Sequence, residues 1–264
     1  MNIVVCIKYV PDWEAPASQF RIEDTRLVPA PGIGYRISDT DDEAIEAALR
    51  LREKHGGRVT AISLGPSVAR DGLKHALAMG CDQAILLEDP AFEDSDAVGT
   101  AVALAAAIRK LGEFDLILTG RQAADWDQGQ VHAGIAELLG LPVIIPARHI
   151  EWTGSEFVVH RIYEEGYEEV AVRPPCVVAC SNEVAEPRYP TLRGIMAASR
   201  AQIPVWTAAD LGLDPSQVGR SGRRTRLLRL YTPQVEAKCE FIEGDTPEGV
   251  AAKLVQRLRE EKLL

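Results

Sequence analysis

Residues 114–131 read FDLILTGRQAADWDQGQV, and their reading decides the fold. The run 114–119 is short and nearly continuous in apolar character, as a parallel strand covered on both faces must be. Gly120 breaks it, a polar loop follows, and residues 129–139 take up a helical pattern that Gly140 and Pro142 end. A strand passing through a loop into a helix is part of a βαβ unit. In a doubly wound sheet, the loop then lies at the carboxyl end of a strand, where ligands bind. A loop entering a helix N-terminus also presents unpaired N–H groups and partial positive charge, which suit phosphate. The competing reading is structural only: Asp125 or Asp127 caps the helix, and the glycines merely turn the chain.

The same rhythm extends in both directions. Residues 3–7, 58–64, 83–87 and 176–180 are further apolar strand patterns, rich in Val and Ile. Helical patterns occupy 41–55, 67–79 and 95–111. The first of these aligns Ala44, Ile45, Ala48, Leu49 and Leu51 on one face and ends at Gly56-Gly57. This alternation predicts an α/β fold with a doubly wound, mainly parallel sheet and right-handed crossovers. Three other strand or helix ends, residues 6–9, 38–41 and 64–66, point to the same edge as the 120–131 loop. Residues 151–172 read as a β-hairpin turning near Glu165-Gly166. From Glu186 the pattern fades: Pro187, Pro190 and Pro204 punctuate it, 194–199 is helical, and 247–262 is an amphipathic last helix through Val250, Leu254 and Leu258. We therefore expect a nucleotide-binding α/β domain over 1–185 and an arm over 186–264 that lies on another subunit.

Composition narrows the function. The 264 residues carry 29 Lys plus Arg against 39 Asp plus Glu, a net charge of −10. That balance argues against nucleic acid as a partner, since phosphate backbones need clustered positive charge. Five arginines (Arg220, Arg223, Arg224, Arg226, Arg229) do cluster near the end; they read either as a solvated surface or as a clamp on an acidic partner. No apolar run reaches the roughly 20 residues that span a bilayer, so no membrane insertion is expected. The opening MNIVVCIKYV reads as a buried strand rather than a signal peptide. Five cysteines without a CxxC pair read as reduced, buried thiols of a cytoplasmic protein, and no metal site is expected. GxGxxG after a strand, GxxxxGK[ST] and GxSxG are all missing, so a hydrolase is not expected and no catalytic residue is assigned. Asp41, Asp42 and Glu43 at a helix start read as complements of the helix dipole.

The motifs together resemble a known family, the beta subunits of electron-transfer flavoproteins (EtfB/FixA). The resemblance runs nearly end to end. It is carried by IVVCIKYVPD, EAIEAALRLRE, TAISLGP, LKHALAMGCDQAILL, DLILTGRQAADWDQGQ and, most specifically, PPCVVACSNEVAEPRYPTLRGIM. It implies an obligate heterodimer with an alpha subunit that holds most of an FAD, which the beta subunit closes over. It also implies an adenine nucleotide in the beta subunit itself, AMP in one branch and a second FAD in the electron-bifurcating branch. The nucleotide positions carried over are Cys6, Ser38, Asp39, Thr40, Asp41, Leu64, Gly65, Gly120, Arg121, Gln122, Ala123, Ala124, Asp125, Trp126, Asp127, Gln128, Gly129, Gln130 and Val131. Trp13 falls where the family sets an aromatic against the alpha-bound flavin. Pro187, Tyr189, Leu192 and Met196 fall in the loop that enters a partner flavin dehydrogenase; from spacing alone, Leu192 could equally fold back onto the core. The implied function is electron transfer between a flavin dehydrogenase, an acyl-CoA dehydrogenase being the expected kind, and a downstream acceptor; the alternative is an NADH-oxidising bifurcating subunit. Two departures stand out. The family's Asn-Pro-Phe-Asp is Ser38-Asp39-Thr40-Asp41 here, without the aromatic, and Trp126 replaces a small or acidic residue. Gly129-Gln130-Val131 resembles the bifurcating branch.

Overall fold

The computed structural model describes residues 1–233 and 239–264. The chain opens with β1 (Asn2–Ile7). Strands β2 (Tyr9–Pro11), β3 (Phe20–Glu23), β4 (Arg26–Pro29) and β5 (Tyr35–Ile37) follow, forming two antiparallel ribbons, β2 with β5 and β3 with β4. The helix-and-strand alternation then begins: α1 (Asp39–His55), β6 (Arg58–Leu64), α2 (Ala69–Met79), β7 (Gln83–Leu87), α3 (Ala97–Leu111), β8 (Leu116–Gly120) and α4 (Val131–Leu139). Next come β9 (Val143–Trp152), β10 (Phe157–Tyr163), β11 (Gly166–Val172), β12 (Cys176–Cys180), α5 (Leu192–Arg200), β13 (Val205–Trp206), α6 (Gly219–Gly222) and α7 (Pro247–Glu260). Two compact units result, Met1–Leu228 and Arg229–Leu264.

Among the described residues the main sheet has nine strands in the order β11-β10-β9-β12-β8-β1-β6-β7-β13. From β9 to β13 all pairings are parallel; β10 and β11 extend one edge as an antiparallel hairpin. Successive residues of each central strand face opposite sides. Ile3, Val5, Val59, Ala61, Leu116 and Leu118 pack with Ile45, Leu49 and Leu73 of α1 and α2. Val4, Ile62, Ile117 and Val177 pack with Leu104, Ile108 and Ile135 of α3 and α4. Two apolar layers on one sheet are why these strands read as continuous apolar runs rather than alternating ones.

The winding reverses beside β1. The chain leaves β1 through α1 to β6 and β7 on one side, then α3 carries it back to β8 on the other. The carboxyl ends of β1 and β8 therefore open a crevice of the kind that binds ligands in open α/β sheets.

The pattern reading differs from the structure at several boundaries. Helix α1 begins at Asp39, two residues before the expected start, and α4 begins at Val131, two residues after it. Asp127 (φ 51°) and Gly129 (φ 57°) are left-handed, which a right-handed helix excludes, so the loop lasts longer than the pattern implied. The expected hairpin belongs to a three-stranded extension of the main sheet, joined through β9 along β12. Pro146 and the polar His149 had hidden β9 as a strand. Past Glu186, α5 packs on α2 and β13 adds to β7, so residues up to Leu228 fold with the sheet. Four cysteines are buried as expected; Cys239 is exposed. Among the described residues no helix is long and apolar enough to cross a membrane.

Candidate functional site

The crevice at the ends of β1 and β8 is tied together by α1. Ser38, at the N-cap position, is fully buried, donates its N–H to the Lys8 carbonyl (2.9 Å) and accepts the Ala124 N–H on its hydroxyl (3.0 Å). The Thr40 hydroxyl donates to the Gln122 carbonyl at 3.3 Å. Asp41 spans the gap: one carboxylate oxygen takes the Lys8 N–H at 2.7 Å and the other takes the Gly120 N–H at 2.9 Å. A side chain on Gly120 would collide with Asp41 and Thr40, so only glycine lets the strand end come this close. Asp41 is thus more than a dipole complement; it straps together the two strand ends at which the winding reverses. Asp39, by contrast, bonds only the neighbouring Thr40 N–H through its side chain among the described residues.

On the α3/α4 side of the sheet, Cys6 on β1 and Leu64 on β6 face the same way, beside Thr119 on β8. Burial, reinforced by Asp41, pushes the Cys6 thiol up to about 12, so it stays a neutral apolar wall rather than a thiolate. Gly65 follows, its N–H held by the Leu87 carbonyl. The 121–130 loop leaves β8 with the Arg121 N–H on the Cys180 carbonyl (2.9 Å) and turns back on itself through Asp127 N–H to the Ala123 carbonyl (2.9 Å). Gln122 holds Asp127 at 2.9 Å. Lys8 pins the loop from below, its ammonium 2.7 and 2.8 Å from the two oxygens of Asp125. Lys8 was not among the expected site residues; a lysine closing an apolar strand at this edge is the signal that marks it.

The loop then delivers the helix end. Gln130, in the N-cap position of α4, makes no side-chain cap bond. Among the described residues, the N–H groups of residues 128–133 meet no acceptor of the chain. Left-handed Gly129 has its nearest neighbour, the Arg121 carbonyl, 3.6 Å from where a side chain would begin. This is a run of donors at a helix N-terminus left without acceptors among the described residues, a set that suits an anionic group such as phosphate. Trp126 is 46% exposed at the loop's crown. Trp13 is not brought into this cluster; it lies half-buried beyond β2 with the Arg36 guanidinium 4.4 Å above its ring.

The acidic start of α1 titrates abnormally. Burial raises Asp41 to about 7 despite its two N–H donors, Asp42 to about 6 despite Arg36, and Glu43 to about 7. In the unfolded chain such groups ionise near their usual low values, so between about pH 4 and pH 7 the fold holds protons that the unfolded chain has lost. Stability from these groups therefore falls as pH rises through that window. Melting temperature is expected to drop from about pH 5 to about pH 8, and Glu43→Gln to flatten the slope. Melting curves across that range check this; an unchanged slope in the variant would assign the titration to other groups.

A second surface lies apart from this crevice. Tyr189 is 95% and Leu192 74% exposed, and Ile195 and Met196 continue them along α5, while Pro187 is half-buried at the loop's base. Leu192 does not fold back onto the core. The arginine cluster divides: Arg220 pairs with Asp94, whereas the Arg224 N–H and the Thr225 N–H and hydroxyl bond one oxygen of Asp96. The other Asp96 oxygen caps α3 through the Val98 and Gly99 N–H groups. Arg223 and Arg226 have no carboxylate partner among the described residues.

The family model described as "Electron transfer flavoprotein domain" matches residues 30–211. The chain is 39% identical to an electron transfer flavoprotein subunit beta of Thermoanaerobacterium thermosaccharolyticum, covering 100% of both chains. It is 36% identical to the caffeyl-CoA reductase-Etf complex subunit CarD of Acetobacterium woodii, again over 100% of both. It is also 36% identical to the protein FixA of Azorhizobium caulinodans, over 97% of this chain and 95% of that one.

Proposed function

This chain belongs to the electron transfer flavoprotein family, alongside its beta subunits and FixA proteins, and from that premise we propose that it is the beta half of a cytoplasmic heterodimer that carries electrons from a flavin dehydrogenase to a downstream acceptor. The single observation that supports a nucleotide site is the run of unpaired N–H groups over residues 128–133, at the crevice where the sheet's winding reverses. The residues fit an adenine nucleotide. The donors take a phosphate, and the neutral Cys6 and Leu64 offer apolar walls on one sheet face. The Ser38, Thr40 and Asp41 bonds keep the mouth from spreading.

When bound, the flavin supplies the redox chemistry; the chain supplies position and electrostatics. Trp13 and its Arg36 partner then face the FAD held mainly by the alpha subunit. The unit from residue 229 reaches that subunit, and Pro187, Tyr189, Leu192 and Met196 meet the dehydrogenase. The CarD relative of the caffeyl-CoA reductase-Etf complex and a relative named acryloyl-CoA reductase electron transfer subunit gamma support a dehydrogenase acting on CoA thioesters.

The test is chemical. Denaturing the purified heterodimer should release one FAD per dimer plus either AMP or a second FAD. A dimer releasing a single FAD and no other adenine nucleotide overturns the beta-subunit site. One observation favours a second reading, an NADH-oxidising bifurcating subunit: Gly129-Gln130-Val131, with its left-handed glycine, resembles that branch. Two FAD per dimer and rapid flavin bleaching by NADH would support it; AMP and no bleaching would exclude it.

A further inference from the structure

The loop that carries Tyr189 and Leu192 has almost no backbone support. Among the described residues, no backbone–backbone hydrogen bond engages residues 185–190. Charged side chains hold it instead. Glu46, in the middle of α1, is 2% exposed. Arg188 covers it, with Nε on one oxygen at 2.7 Å, an Nη on the other at 3.2 Å, and its own backbone N–H at 3.3 Å. The same guanidinium reaches Glu53, two turns further along the helix, at 2.5 and 3.0 Å. Arg50 closes the arrangement from the helix side: it bonds Glu46 at 2.6 Å and the Glu186 carbonyl at 3.0 Å. The opposite end of the ridge is fixed by packing. Gly194 presses against the Ala78 carbonyl of α2, with no room for a side chain, and the Gly194 N–H is capped by Thr191 at 3.0 Å.

A buried carboxylate needs its charge matched, and one arginine would suffice for that. Arg50 already provides it. Arg188 adds a planar fork that spans two carboxylates on one helix face, a geometry a lysine cannot reproduce. What the fork fixes is the chain immediately before Tyr189, whose side chain is 95% exposed and touches little else. Ordering such a loop in advance removes an entropy cost from binding.

We propose that Arg188 is a positioning residue, clamping the docking loop to Glu46 and Glu53 so that the ridge of Tyr189, Leu192, Ile195 and Met196 is presented ready-formed to the electron-transfer partner. This rests on the reading of that ridge as the docking surface. The clamp also sets the ridge on α1, the helix whose N-terminus straps the nucleotide crevice.

The test uses the intact heterodimer with an acyl-CoA dehydrogenase and its acyl-CoA as electron donor. Arg188→Met is expected to raise KM for the heterodimer about fivefold with kcat and released nucleotide unchanged. Arg188→Lys, which keeps the charge but not the fork, should recover only part of the loss; it also serves where the methionine variant folds poorly. The decisive arm is the Leu192→Ala background. With the anchor gone, Arg188→Met should add less than about a twofold further change, because coupled residues are not additive. An unchanged KM for both Arg188 variants overturns the clamp. A full fivefold effect persisting in the Leu192→Ala background also overturns it, since Arg188 would then act on the fold and not through the ridge. If Leu192→Ala alone leaves KM unchanged while the Arg188 variants raise it, the docking reading fails, and the positioning role with it.

Discussion

A heterodimer carrying Gly129→Glu is expected to purify without the adenine nucleotide of this chain. Gly129 sits at φ 57°, a conformation that costs an ordinary side chain roughly 1 kcal/mol or more. Strain alone would not empty the crevice, since the chain tolerates Asp127 at φ 51° two residues earlier. Charge and position add the rest. The N–H groups of residues 128–133, unpaired among the described residues, are the proposed anion site, and a glutamate at 129 plants a carboxylate among them. That carboxylate would compete for the same donors and repel a phosphate at close range in a partly desolvated cleft. Gly129→Ala separates the contributions: it keeps the strain and omits the charge, so it should weaken retention without abolishing it. Denatured Gly129→Glu dimer should yield only the FAD of the alpha subunit by chromatography and absorbance. A full second complement of AMP or FAD would move the phosphate away from this loop.

The sequence made the parallel core legible because burial on both faces leaves an unmistakable run of Val, Ile and Leu in β1, β6, β7, β8 and β12. It also placed the 120–131 loop correctly at a strand's carboxyl end, since Gly120 and the helix stop at Gly140 bracket it. Features that depend on distant partners were hidden. Asp41 stands in a row of acids of the kind common at helix starts; its bonds to the N–H groups 33 and 79 residues away appear only once the strands are side by side. Glu46 looks like a solvent residue on an amphipathic helix until Arg188, 142 positions later, covers it. The β9 strand escaped notice because Pro146 breaks its pattern and its far half is polar. The two small ribbons between β1 and α1 escaped because their strands are only three or four residues long. What the fold adds is a division of α1: its first turn straps the crevice and its middle holds the 186–188 loop.

Leu192→Ala is expected to weaken docking tenfold or more while leaving the heterodimer's melting temperature and bound nucleotides nearly unchanged. Leu192 is the first residue of α5, capped by Thr191, and 74% exposed. A leucine in that position contributes little to the fold, because its side chain is already in water. Beside it stand Tyr189, Ile195 and Met196, each at least half exposed, so the apolar area is contiguous rather than scattered. Anchors of this kind carry most of an interface's energy when they enter a pocket on the partner. Burying one leucine there is worth about 2 kcal/mol, which corresponds to more than a tenfold change in affinity. Electron transfer from an acyl-CoA dehydrogenase, followed against heterodimer concentration, should show KM rising by that factor with kcat preserved. Tyr189→Ala offers a check on the same ridge: it should weaken docking in the same sense, because its ring projects from the clamped loop. Normal transfer combined with a large fall in melting temperature for Leu192→Ala would make this residue part of the fold's support and leave the partner to dock on a different face.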